Sequence, residues 1–270
     1  MALLSMNEVT TYRWSFEEDV KNYRAAGIPA IGVWRQKLSD FGEDRGIDLL
    51  AESGLKVSNL LWAGGFTGSD GHTFRESLED AEDAIRLAAA MGAGCLIVYS
   101  GARAGHTHNH ARRLAADALK ELAPLAQEME VVLAVEPMHP GCASECTFLT
   151  SLDMTLNLLT AIDSPQIKLA FDTYHLAHDD MISQLPQITP RIAIVHLGDG
   201  KHPPEREQNR SRLGEGTLPL QEIVSALSAS GYDGYYDVEL MGEEIEASDY
   251  QELLQHSKAR FASLLRNCAK

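Results

Sequence analysis

Residues 131–137 read VVLAVEP. Five apolar residues in a row leave no alternating exposed face, so Val131–Val135 is predicted to be a strand buried on both sides, as in a parallel sheet. Glu136 and Pro137 close it, which ends the strand on a charge. Working outward, the same form recurs downstream as KLAFDTYH over 168–175, IAIVHLGD over 192–199 and YYDVEL over 235–240. Upstream, shorter apolar or β-branched runs at Val9–Tyr12, Ala30–Val33, Val57–Leu61 and Cys95–Tyr99 are predicted strands. The later strands are Ile167–Phe171, Ile192–Val195 and Tyr235–Leu240.

Between these runs lie stretches with apolar residues at helical spacing. The first starts at Ser15, whose hydroxyl is a cap, carries Glu17, Glu18 and Asp19 in its first turn, and stops at Gly27. Gly46–Ser53, Phe74–Met91 up to Gly92, Ala111–Glu130 and Ser151–Ile162 follow. A weak helix around Met181–Leu185, then Leu220–Ser230 and Tyr250–Asn267, complete the series. Eight strands alternating with eight helices predict an α/β fold, a single (β/α)8 TIM barrel spanning residues 1–270 as one domain. An open doubly wound sheet usually needs fewer strands and often carries a glycine-rich phosphate turn, and no such turn is present.

Composition agrees with a soluble globular chain. Of the 270 residues 44% are hydrophobic and 23% charged, enough apolar side chain for a core. Against 23 Lys and Arg stand 39 Asp and Glu, a formal net charge of -16 that repels a phosphate backbone, so nucleic acid is not an expected partner. MALLSMNEVTTYRWSF lacks a positively charged leader, and no segment approaches a membrane span, so no membrane association and a cytoplasmic location are expected. Cys95, Cys142, Cys146 and Cys268 are too few and scattered for a disulfide framework and are read as free thiols.

In a barrel of this kind the active site forms at the carboxyl ends of the strands. Four consecutive strands end in residues of ligating type: Glu136, Asp172, His196 and Glu239. A carboxylate at the end of an apolar strand is costly to bury alone, and a cation compensates it. Three carboxylates and one imidazole make a hard, mostly oxygen set that suits Mn2+ or Mg2+, with Co2+ or Zn2+ admitted through the histidine.

With these motifs the whole chain resembles the xylose isomerase-like superfamily of barrels, and the Glu, Asp, His, Glu pattern is similar to that of its ketose 3-epimerases. The resemblance implies that Glu136, Asp172, His196 and Glu239 are metal ligands. Asp172-Thr-Tyr-His175 matches the family's Asp-x-x-His, whose histidine faces the substrate. The implied partner is a small-molecule sugar or sugar phosphate, and the implied assembly a homodimer or homotetramer. Moving a proton beside a ketone needs a Lewis acid and acid/base groups, and a 3-epimerase needs the latter on opposite faces; Glu136 and Glu239, on strands five and eight, are the expected catalytic pair.

Further substrate contacts are expected from His175, from His139 just beyond strand five, and from Trp34 and Trp62 as apolar walls. The loop Asp199–Gly216 is a basic island carrying Lys201, His202, Arg206, Arg210 and Arg212, and Arg212 beside Gly214-Glu215-Gly216 is the arginine expected to reach a substrate oxygen or phosphate. His106, His108 and His110 alternate on a loop and do not define a metal site by themselves. Other activities share these ligands: a dehydratase or lyase acting on a keto-sugar or inosose begins with the same enolisation, and hydroxypyruvate isomerase tends to carry glutamine where this chain has His196. Endonuclease IV uses more histidines and a DNA-binding face, which the net charge opposes, and a sugar-binding module has no need of two glutamates flanking a metal.

Overall fold

In the computed structural model, which describes residues 3–143, 145–177, 181–205 and 208–268, eight parallel strands close into a barrel in sequence order. They are β1 (Leu3–Asn7), β2 (Ala30–Trp34), β3 (Lys56–Gly64), β4 (Leu96–Tyr99), β5 (Leu133–Val135), β6 (Ile167–Asp172), β7 (Ile192–Leu197) and β8 (Tyr235–Val238). Outside run the helices Phe16–Ala26, Glu43–Ser53, Phe74–Met91, His108–Glu128, Leu152–Ile162, Leu220–Ala229 and Tyr250–Cys268. Their buried faces pack on the outward residues of the strands in one continuous apolar layer. None of the helices among the described residues is long and apolar enough to cross a membrane.

Local chemistry sets the helix ends. Ser15 and Thr73 accept from the backbone N–H of Glu18 and Glu76, whose carboxylates reach back to the cap residues, so two donors are satisfied at each start. Gly27 and Gly92 take left-handed backbone at the ends of the same two helices, a conformation that costs glycine nothing. After β6 the single weak helix is replaced by short turns, Thr173–Leu176, Ile182–Gln184, Leu185–Ile188 and Thr189–Arg191. Pro186 and Pro190 each sit in a first turn, the only helical position where a missing N–H is harmless.

One strand differs from the sequence reading. Residues 9–12 are not β1: Glu8–Thr11 form a 3-10 turn, begun by the Asn7 side chain accepting from Val9 N–H. The strand lies earlier, at Leu3–Asn7, between β2 and β8. Its buried polar residues Ser5 and Asn7 break the apolar run that marks its neighbours. Thr10 and Thr11, which read as β-branched strand residues, spend their hydroxyls on Val238 carbonyl and Asp19 carboxylate.

Candidate active site

Register brings the four strand-end residues together. Asp172 is the Cα partner of His196 across β6 and β7, Glu136 follows β5 directly, and Glu239 follows β8. Their ligand-type atoms all lie within 4.8 Å of one another, and all four residues are buried. Among the described residues this is the one group of three or more metal-type side chains so placed. His196 turns Nδ1 toward the carboxylates, 2.8 Å from Glu239 Oε2 and 3.4 Å from Glu136 Oε1.

The donor set fits a divalent cation. Glu136 Oε2 accepts no hydrogen bond although it is fully buried, and Asp172 Oδ2 and Glu239 Oε2 meet their ion-pair partners without the angles of a hydrogen bond. Buried carboxylate oxygens left in this condition are costly unless a cation takes their lone pairs. The oxygens face one centre, together with one imidazole nitrogen.

Environment separates the two glutamates. Burial pushes Glu136 up to about 7 against the pull of His196. Glu239 is driven up by the same burial, but His196 and Arg210 override it and hold it down at about 2. For His196 burial opposes the charge, and the carboxylates of Glu239 and Glu136 outweigh it and raise its pKa well above the usual imidazole range.

Arg210, not Arg212, is the arginine that lies against this cluster. Arg210 Nη2 lies 2.8 Å from Asp172 Oδ2 and 3.3 Å from Glu239 Oε1, its Nη1 donates to Glu239 carbonyl at 3.0 Å, and its guanidinium stacks 4.7 Å over the Tyr174 ring. Arg212 is half-buried and takes no part in these contacts. The loop is pinned by Asp199, whose carboxylate accepts from Gly200, Gly214, Gly216 and Leu218 N–H, and by an antiparallel bridge from Asp199 to Ser211. That bridge, which no local sequence signal marks, places the neighbouring Arg210 inward. Lys201 pairs with Glu244 at the surface, and Arg206 lies outside the described residues.

His175 is buried beside the cluster, with Nε2 3.4 Å from Arg210 Nη2 and 3.8 Å from Asp172 Oδ2, and Nδ1 3.5 Å from Cys142 Sγ. Burial lowers its pKa to about 4, so the ring is neutral near pH 7. Because Arg210 can only donate, Nε2 is the accepting nitrogen and the proton sits on Nδ1, toward Cys142. His139 is half-buried and holds the turn after β5, its Nδ1 accepting from Gly141 N–H and its carbonyl from Cys142 N–H. Trp34 and Trp62 line a cavity of about 520 Å³ beside the ends of β2 and β3; Trp62 is 42% exposed and its ring lies 5.3 Å from that of Tyr99. The four cysteines are free thiols. His106 and His110 meet edge to face with ring centroids 4.7 Å apart, and neither belongs to the metal-type group found among the described residues.

Two carboxylates stand outside the sequence reading. Asp237 is buried inside the barrel, two residues before Glu239, and Glu8 is buried at the end of β1, accepting from Trp34 N–H at 2.7 Å. Glu8 shares its pocket with Asp19 and Lys37, whose ammonium reaches Asp19 Oδ2 at 2.6 Å.

Known proteins fit this picture. Over 176 residues the chain is 27% identical to fructoselysine 3-epimerase of Shigella flexneri, a match covering 64% of this chain and 61% of that one, so the chain spans about three fifths of that relative's length. Inosose isomerase of Bacillus velezensis is 23% identical over 94% of both chains. A crystal structure of a protein from Sinorhizobium meliloti superposes with a TM-score of 0.89 at 26% identity, covering 97% of this chain and 98% of that one. The family model described as xylose isomerase-like TIM barrel matches residues 20–260, and the chain belongs to that family.

Proposed function

We propose that this protein is a divalent-metal-dependent enzyme that epimerises or isomerises a keto-sugar or its phosphate by moving a proton at the carbon beside the carbonyl. One observation carries the reading: Glu136, Asp172, His196 and Glu239, from four successive strands, converge within 4.8 Å while buried carboxylate oxygens lack hydrogen bonds. The names of the relatives, a sugar 3-epimerase and an inosose isomerase, support the substrate class.

Glu136, Asp172, His196 and Glu239 would hold the cation, Mn2+ or Mg2+ by the hardness of the set and Co2+ or Zn2+ through His196. Bound there, a cation would supply Lewis-acid stabilisation of the charge that develops as the proton leaves. The proton moves between substrate carbon and the two glutamates, which approach from β5 and β8. Glu136 and Glu239 are the groups placed to remove and return it. Arg210 and His175, buried beside the cluster, would hold substrate oxygens there, and Trp34 and Trp62, which line the neighbouring cavity, would form an apolar wall.

The experiment is to quantify bound metal and incubate the metal-replete protein with ketoses, ketose phosphates and inososes in D2O. Deuterium at the carbon next to the carbonyl is expected for at least one substrate, and product structure then separates epimerase, isomerase and lyase. Absence of exchange across the panel overturns the reading.

A further inference from the structure

The interior of the barrel beneath the candidate metal centre is built around one carboxylate. Asn7, Gly32 and Asn59 are register partners across β1, β2 and β3. Gly32 leaves the middle of that row without a side chain, and Asp237 from β8 fills the space: a Cβ at Gly32 would collide with Asp237 Oδ2. Asp237 Oδ2 accepts from Asn7 Nδ2 at 2.8 Å and from Asn59 Nδ2 at 2.7 Å, while Oδ1 accepts nothing. Four strands thus house a fully buried carboxyl group.

The neighbour that makes sense of it is His196. His196 and Asp237 are register partners across β7 and β8, so both side chains enter the barrel at one level. With Nδ1 turned to Glu136 and Glu239, the imidazole presents Nε2 to Asp237 Oδ2 at 4.0 Å, and Nε2 has no hydrogen-bond partner. His196 can ligate through Nδ1 only when that nitrogen carries no proton, which places the ring proton on Nε2. A ring tilt of about 1 Å brings that N–H within reach of the carboxylate.

We propose that Asp237 is a positioning residue that selects the Nε2–H tautomer of His196 and so presents Nδ1 as a metal ligand. The proposal rests on the metal-binding reading of the site and adds to it a residue that touches neither cation nor substrate. Asn7 and Asn59 hold in place Oδ2, the oxygen that faces Nε2. Without that oxygen Nε2–H has no acceptor, and His196 would carry its proton on Nδ1, beside Glu239, and lose the ligating lone pair.

The test uses the full chain with 15N-labelled histidine, prepared metal-free and then titrated with Mn2+. In D237A Mn2+ affinity is expected to fall 10- to 100-fold with the unfolding temperature retained, and in D237N, whose oxygen the two asparagine donors keep facing Nε2, to fall less; in Mg2+-loaded protein the Nε2–H signal of His196 is expected to be displaced from its wild-type position in D237A. Should D237A fail to fold, N59A, which removes one of the two donors holding Asp237, is expected to weaken Mn2+ several-fold in the same direction. Wild-type Mn2+ affinity and a wild-type Nε2–H signal in the folded D237A protein, or unchanged affinity in N59A where that variant decides, overturn the role of Asp237 and leave the metal site standing. A wild-type chain that takes up no Mn2+ overturns both.

Discussion

Arg210 Nη2 lies 2.8 Å from Asp172 Oδ2 with neither side chain exposed. The pair ties the loop after β7 to the end of β6, and the same guanidinium also compensates Glu239. Removing one partner of a buried pair leaves the other charge without a counterion. Arg210→Ala is therefore expected to lose about 3–5 kcal/mol of stability in urea denaturation without metal, and saturating Mn2+ to restore part of it, because a cation replaces the lost positive charge. Arg212→Ala should stay within about 0.5 kcal/mol of the wild type. An Arg210→Ala protein as stable as wild type contradicts the assignment.

Glu136→Gln and Glu239→Gln keep the shape of the site and remove a proton-transfer group. Each is expected to slow solvent-deuterium incorporation into substrate by about 10²–10⁴-fold, measured by NMR at saturating metal. Either variant exchanging at the wild-type rate removes that glutamate from the proton path.

Metal removal is the next test. A cation bound only by the folded chain at 100 times its Kd stabilises by about 2.7 kcal/mol, a rise in unfolding temperature of about 5–10 °C for a chain of this size. Chelation should abolish turnover and lower the transition by that amount, and Mn2+ should reverse both. A transition indifferent to EDTA and to Mn2+ counts against any cation at the four ligands.

Glu8 gives a pH dependence with a definite sign. Burial first, then the charge of Asp19, raises its pKa well above the usual carboxylate range. The folded chain therefore keeps a proton that the unfolded chain has already released above about pH 4.5. Stability from this group is fully present below the unfolded pKa and is lost as pH rises through the folded one. Glu8→Gln, whose amide can still accept from Trp34 N–H, should flatten that fall between pH 5 and 8 in chemical denaturation. Wild-type stability that rises over this interval would show that the charged form of Glu8 is the one the fold prefers.

What could be read from residues alone was whatever follows from burial on both faces of a strand. VVLAVEP, KLAFDTYH, IAIVHLGD and YYDVEL are apolar because helices cover one side and the packed barrel the other, so the polar residue that ends each run is conspicuous, and Glu136, Asp172, His196 and Glu239 were found that way. β1 was misplaced for the converse reason: Ser5 and Asn7 face a polar interior, and LLSMN does not look like its neighbours. Asp237 lay in plain view within YYDVEL, but whether a strand residue points inward, and at what height, is settled by register with β7 and by the space above Gly32. The choice of Arg210 over Arg212 depended on a bridge from Asp199 to Ser211 within a loop that has no period to read. Charge, apolar pattern and strand ends are properties of short stretches and survive in one dimension; which buried charges meet is a matter of distances between strands, and only closing the barrel decides them.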